Sequence, residues 1–240
     1  MIKGILIDYG GTIDTNGRHW AHVIWDAYQA ASVGVTKEAF MQAYAFGEKA
    51  LAINPIIQPT HTFRDVLRLK TEQQFAYLQL TNDAQRGKID SIVNDCMTVV
   101  ATAVSAAKPV LEKLAAKYPM VLVSNFYGNI RAVLADLNIL HFFQDIVESA
   151  VVGVRKPDPA IYRLGVERIG LPAAACVVIG DSFKKDMVAG KEAGCKTIWI
   201  NVAGFDEDLI DIDAHMADQQ VTDFAQIPEA IIQLNALMVN

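Results

Sequence analysis

The sequence predicts an α/β fold: a doubly wound parallel sheet interrupted, after its first strand, by an all-helical insertion. Three observations carry this. Short apolar runs alternate with helical stretches in the second half of the chain, the pattern of strands covered on both faces. One such run stands alone over 4–7, just ahead of a glycine turn. Between them, over 15–107, strand signals are scarce and apolar residues recur at helical spacing.

Taken in order, the first strand ends in Asp8-Tyr9-Gly10-Gly11-Thr12. In the insertion, Val23, Ala27, Ala30 and Ala31 share one helix face, and Phe63, Val66, Leu67 and Lys70, followed by Phe75 and Leu78, share another. The stretch 54–59 carries two prolines and breaks the helices. The spacing of Val93, Met97, Val100 and Val104 predicts one long helix over 89–107 with a single buried face. From Lys108 the pattern alternates: helix 110–116, strand 120–123 ending in Ser124-Asn125, helix 130–137, strand 145–149, helix 159–169. Strand 176–179 then ends in Gly180-Asp181-Ser182, helix 185–193 is stopped by Gly194, and strand 197–201 and helix 227–237 follow. The expected division is a core from 1–14 and 108–240 and a helical cap from 15–107.

A chain of 240 residues suffices for a core plus an insertion. No uninterrupted apolar run approaches the ~18 residues needed to span a bilayer. The apolar stretch behind Met1 is too short for a signal peptide, so a cytoplasmic location and no membrane partner are expected. Net charge is −6 and the basic residues do not cluster, which argues against a nucleic-acid partner. An anionic ligand must therefore be held by local groups. Cys96, Cys176 and Cys195 are odd in number and lack CxxC spacing, so they are expected to be reduced packing residues. Monomer and homodimer are both compatible with the sequence.

In an open parallel sheet, ligands bind beyond the carboxyl ends of the strands. Asp8, Ser124-Asn125 and Asp181-Ser182 all follow strands. Any one of these segments reads equally well as a helix N-cap. All three together with Lys156 point instead to one crevice. A nucleotide-binding switch would need a Gly-x-Gly-x-x-Gly or Walker loop after the first strand, and none is there. A receiver domain also uses a strand-end Asp and a Lys, but it has no long helical insertion.

Asp8-Tyr9-Gly10-Gly11-Thr12-Ile13-Asp14 resembles the first motif of the haloacid dehalogenase superfamily. Ser124-Asn125, Lys156 within Arg155-Lys156-Pro157-Asp158-Pro159, and Gly180-Asp181-Ser182-Phe183-Lys184-Lys185-Asp186 are similar to its second, third and fourth motifs, in the right order along essentially the whole chain. The insertion is similar to the family's C1-type helical cap. The resemblance implies a Rossmann-like core and hydrolysis of a small phosphorylated substrate through an aspartyl-phosphate on Asp8. It implies Mg2+ held by Asp8, the Gly10 carbonyl and Asp181, in hard oxygen coordination, with Asp186 either a further ligand, direct or through water, or the residue that orients Lys156. Gly11, Thr12, Ser124, Asn125 and Lys156 would hold the phosphate, with Ser124 and Lys156 also acting in catalysis. Tyr9 and Tyr127 flank the proposed site, Arg18 and Trp20 follow soon after the first motif, and these four are candidates to line the substrate. Asp14 is expected to be structural.

One position departs from the family's pattern. Its phosphatases carry a second Asp two residues after the nucleophile, which protonates the leaving group, and here that residue is Gly10. Such general acid–base help is worth roughly 10²–10⁴ in rate. Three readings follow: a phosphatase that is selective for good leaving groups or borrows a proton from the cap, the substrate or water; an enzyme cleaving a carbon–phosphorus or carbon–halogen bond; or a low-turnover regulatory module. The carbon–phosphorus branch needs a cap lysine as Schiff base. Lys37, Lys49, Lys70 and Lys88 lie in the insertion and are expected to be solvated helix charges, like Lys184 and Lys185 in the core.

Overall fold

The computed structural model describes residues 1–202 and 217–238, so residues 203–216 and 239–240 of the expected core segment lie outside the described residues. Six strands form one parallel sheet: β1 (Gly4–Ile7), β2 (Met120–Ser124), β3 (Asp145–Glu148), β4 (Cys176–Gly180), β5 (Lys196–Ile200) and β6 (Gln219–Val221). Their order is β3-β2-β1-β4-β5-β6. Alternate residues face opposite ways along a strand. Ile5, Ile7, Leu122, Val177 and Ile179 accordingly join one core cluster, whereas Leu6, Val121, Val123 and Val178 join the other. Burial on both faces explains why these strands read as continuous apolar runs.

The helices that follow β1 are α1 (Trp20–Ala30), α2 (Lys37–Ile53), α3 (Phe63–Tyr77), the single turn α4 (Asp83–Arg86) and α5 (Lys88–Ala115). Thr62 and Asp65 form a capping box that starts α3. The face of α3 predicted from spacing is the buried one, through Phe63, Val66, Leu67, Lys70 and Phe75. The remaining helices, α6 (Ile130–Asp136), α7 (Ser149–Val152), α8 (Ala160–Ile169), α9 (Ala189–Glu192) and α10 (Ile227–Leu237), alternate with the later strands.

Three elements differ from the sequence reading. The helices expected over 89–107 and 110–116 are one, and Pro109 sits inside α5. Proline removes one helical hydrogen bond at a cost of ~3 kcal/mol. The buried row Val93, Cys96, Val100, Val104, Ala107, Leu111 and Leu114 runs straight across that position and outweighs it. The segment Asp83–Ala115 is long and apolar enough to cross a membrane by length and composition, but its apolar row here packs in the core alongside residues of α1 and α3. The helix expected over 185–193 is a π-helical turn, Phe183–Val188, followed by α9. Strand β6 was not legible, because Gln219-Gln220-Val221 carries no apolar run.

Candidate active site

Strand β1 lies between β2 and β4, with Ile7 opposite both Leu122 and Ile179. Continuing that register brings Asp8, Ser124 and Asp181 out at one edge of the sheet. The Lys156 ammonium lies 2.7 Å from Asp8 Oδ1 and 2.7 Å from Asp186 Oδ1, with its side chain 2% exposed. Carboxylate oxygens of Asp8, Asp181 and Asp186 all lie within 4.8 Å of one another. The three segments read from the sequence therefore converge, with Lys156 among them.

Each member is held by its neighbours. Thr12 Oγ1 donates to Asp181 Oδ1 at 2.9 Å, and the Trp199 indole donates to the Asp181 carbonyl at 2.8 Å. Asp186 accepts from Lys156 Nζ and from the Tyr162 hydroxyl, both at 2.7 Å, and from the Ser182 amide at 3.0 Å. The π-helical turn carries Asp186 back to these donors, as such turns do at functional sites. The Asn125 side chain clamps the Lys156 backbone, donating to its carbonyl at 3.0 Å and accepting its amide at 2.8 Å.

Three carboxylates crowd one ammonium. Burial pushes the Asp8 carboxyl up against the opposing pull of Lys156, with Asp186 adding repulsion. Asp181 is raised well above the usual carboxylate range by burial and by the Asp186 and Asp8 charges. For Lys156, burial works to lower the value, but Asp186 and Asp8 outweigh it and hold the amine protonated. One ammonium does not balance three carboxylates, and these offer hard oxygen donors, so a divalent cation such as Mg2+ fits the cluster's chemistry.

The glycine pair divides its work. Gly11 has a φ of +89°, and a side chain there would collide with the Asp181 carboxylate. Its amide donates to Asp14 Oδ1 at 2.7 Å. Gly11 was expected to offer that N–H to phosphate, and the bond to Asp14 corrects this. Gly10 has no left-handed backbone and nothing within 4 Å of an added Cβ. Gly11→Ala is expected to cost at least ~1–2 kcal/mol from its backbone alone and to weaken magnesium binding by displacing Asp181. Gly10→Ala should do neither. Thermal unfolding with and without magnesium measures both.

A cleft of about 1570 Å³ opens over this edge. Asp8, Gly10, Gly11, Ser124, Asn125, Lys156, Asp181 and Asp186 line it, and Trp20, Tyr44, Glu48 and Lys70 face it from the helices that follow β1. Asp14 also reaches it, buried, with its carboxyl pushed up to about 8 by burial against the opposing Gly11 and Trp20 hydrogen bonds. Of the four candidate substrate residues, Trp20 and Tyr127 line the cleft. The Trp20 indole donates to Asp14 Oδ2 at 3.0 Å, so Trp20 presents a wall with its polar tip engaged. Tyr9 and Arg18 are not among the lining residues. Tyr9 is fully buried edge-on between Phe63 and Phe126, with centroids 5.8 and 5.9 Å away. Strand alternation sends it into the core, away from Asp8. Arg18 is exposed and pairs with Asp26 at 2.8 Å.

Lys70 is the other correction. It is 6% exposed and pairs with Glu48 at 2.6 Å, whereas a solvated helix charge was expected. Its place on the Phe63, Val66, Leu67 face was the signal, since a lysine at a core position needs a partner. Tyr162, Glu48 and the Asn125 clamp were missed, because their partners lie far away in sequence.

The family pattern of haloacid dehalogenase-like hydrolases matches residues 2–194. Haloacid dehalogenase-like hydrolase domain-containing protein 3 of Danio rerio is 36% identical over 80 residues, 33% of each protein. A glyceraldehyde 3-phosphate phosphatase of Methanopyrus kandleri is 37% identical over 67 residues, 28% of this chain and 29% of that protein. The matches thus span about a third of the length of these curated relatives. A 2-haloacid dehalogenase from Pseudomonas syringae pv. Tomato DC3000 shares the fold at a TM-score of 0.53 and 21% identity, over 97% of this chain and 99% of that one. On the match across most of its length and the converging motif residues, this chain belongs to the haloacid dehalogenase-like hydrolases.

Proposed function

We propose that the protein is a magnesium-dependent phosphomonoester hydrolase that uses Asp8 as nucleophile on a small phosphorylated metabolite and favours good leaving groups. The observation that carries this reading is the Asp8 carboxylate, 2.7 Å from Lys156 and crowded by Asp181. An anionic nucleophile can approach an anionic phosphoryl group only where positive charge screens both. Asp8, Asp181 and the Gly10 carbonyl are the candidate ligands, and a bound Mg2+ would supply Lewis-acid polarisation of a phosphoryl oxygen. Asp186 already accepts three hydrogen bonds and serves chiefly to orient Lys156. Thr12 steadies Asp181, Tyr162 donates to Asp186, and Asn125 clamps the Lys156 backbone.

In the proposed sequence Asp8 attacks phosphorus, and the Ser124 hydroxyl and Lys156 ammonium hold the non-bridging oxygens. The ester oxygen leaves, and water then hydrolyses the aspartyl-phosphate. Gly10 gives the departing oxygen no proton, which is the reason for the expected selectivity. Lys70 weighs against a carbon–phosphorus reading through a Schiff base. Burial works to lower its value, but Glu48 and Tyr44 outweigh that and hold the amine as a non-nucleophilic ammonium. A carbon–halogen substrate carries no phosphoryl charge and gives no use to the carboxylate crowd around Asp181.

The test is phosphate release from a series of monoesters of graded leaving-group basicity, with and without magnesium. Aryl and acyl phosphates should exceed alkyl phosphates by roughly 10²-fold or more, the share that general acid help normally supplies. Equal rates across the series would remove the leaving-group claim. Release that is indifferent to chelation would remove the magnesium.

A further inference from the structure

The proposed mechanism leaves a second charged group in the same cleft without a task. Lys70 on α3 donates to Glu48 Oε1 on α2 at 2.6 Å. Tyr127, in the loop after β2, donates to Glu48 Oε2 at 2.6 Å. The Lys70 ammonium also sits 5.4 Å from the centre of the Tyr127 ring. All three residues line the cleft that Asp8 and Lys156 line.

Counting donors and acceptors separates their roles. Each Glu48 oxygen already accepts a strong hydrogen bond. An ammonium has three N–H donors. Among the described residues, Glu48 Oε1 is the one hydrogen-bond acceptor of Lys70 Nζ. A buried donor left without an acceptor is costly, and more so when it is charged. Lys70 is 6% exposed, so its remaining donors have the cleft as their outlet. The exposed cations Lys49, Arg155, Lys184 and Lys185 also line this cleft, so its accessible charge favours anions.

We propose that Lys70 binds a second anionic group of the substrate, so that the preferred substrates are small phosphomonoesters bearing a carboxylate or a second phosphate beyond the scissile ester. This inference rests on the phosphomonoesterase reading above. Lys70 is then a specificity-determining residue. Glu48 and Tyr127 are positioning residues that keep its ammonium charged and aimed.

The experiment compares kcat/KM, in magnesium, for 3-phosphooxypropanoate and for propane-1,3-diyl bisphosphate against propyl phosphate, and reads the ratio within each variant. In the unaltered protein at least one anionic ester should be favoured by about tenfold or more, the value of one charge-assisted hydrogen bond, and the better of the two tells carboxylate from phosphate. Lys70→Gln should bring that ratio to within about threefold of unity, and Lys70→Arg should keep most of it. Glu48→Gln removes the carboxylate that keeps the Lys70 ammonium charged and aimed and should lower the ratio, which keeps the idea testable if Lys70→Gln does not fold. Magnesium-dependent hydrolysis of all three esters at equal efficiency overturns the role of Lys70 and leaves the phosphomonoesterase reading standing. A ratio unchanged in a folded Lys70→Gln, or unchanged in a folded Glu48→Gln, overturns it as well. Release from an aryl phosphate with all three alkyl esters silent overturns the role of Lys70 alone; if the aryl phosphate is silent as well, both readings fall.

Discussion

Asp8→Asn is expected to abolish magnesium-dependent phosphate release, by at least about 10³-fold, the scale on which loss of a nucleophile acts, while the protein remains folded. The amide is nearly isosteric with the carboxyl but has no anionic oxygen to attack phosphorus. The same change should make the metal-free protein more stable. Asp8, Asp181 and Asp186 share one ammonium, and burial and mutual repulsion raise Asp8 and Asp181. Removing one of three negative charges relieves that repulsion, and Lys156 keeps its 2.7 Å contact with Asp186. A gain of about 1 kcal/mol corresponds to about 2–4 °C in a chain of this size. Magnesium should reverse the order. A cation that binds only the folded state stabilises by about 2.7 kcal/mol at a hundred times its Kd, and the Asp8→Asn variant forfeits much of that affinity. Differential scanning fluorimetry across a magnesium titration reads both effects. A variant that melts lower without metal, yet gains as much from magnesium as the unaltered protein, would contradict the crowded-carboxylate account. Retained turnover would remove Asp8 as nucleophile.

The sheet and the strand-end chemistry were legible because both are local. Four-to-five-residue apolar runs mark strands buried on two faces, and Asp8, Ser124 and Asp181 are the polar residues that interrupt them. Their convergence followed from strand order, which the alternating pattern constrains. What stayed hidden depended on tertiary partners. The sequence reading split 89–107 from 110–116, and only the buried row of α5 shows why the helix continues through Pro109. Tyr9 follows Asp8 in sequence, yet the strand's two-residue period turns it into the core. Lys70 could be placed on a buried face by spacing, but its partner Glu48 is 22 residues away on another helix. The role of Gly11 in excluding a side chain from Asp181 spans a sequence separation that no local pattern covers.

Gly10→Asp is expected to raise alkyl-phosphate turnover by roughly 10²–10⁴, the contribution of a positioned general acid, and to raise aryl-phosphate turnover far less. The backbone can accept it: Gly10 is not in the left-handed region, and an added Cβ meets nothing within 4 Å. Gly10 lines the same cleft as Asp8, so a side chain there has room beside the nucleophile. The surrounding carboxylates help, because a further acid among like charges titrates high and stays protonated closer to neutral pH. The variant should therefore show a new fall in kcat for alkyl esters as pH rises through that acid's pKa, a limb the unaltered protein lacks. Its dependence on leaving-group basicity should flatten correspondingly. No gain in a variant that folds and still responds to magnesium would show that some other group already protonates the leaving oxygen. Glycine at position 10 would then be a matter of space around the substrate, and not of a missing proton.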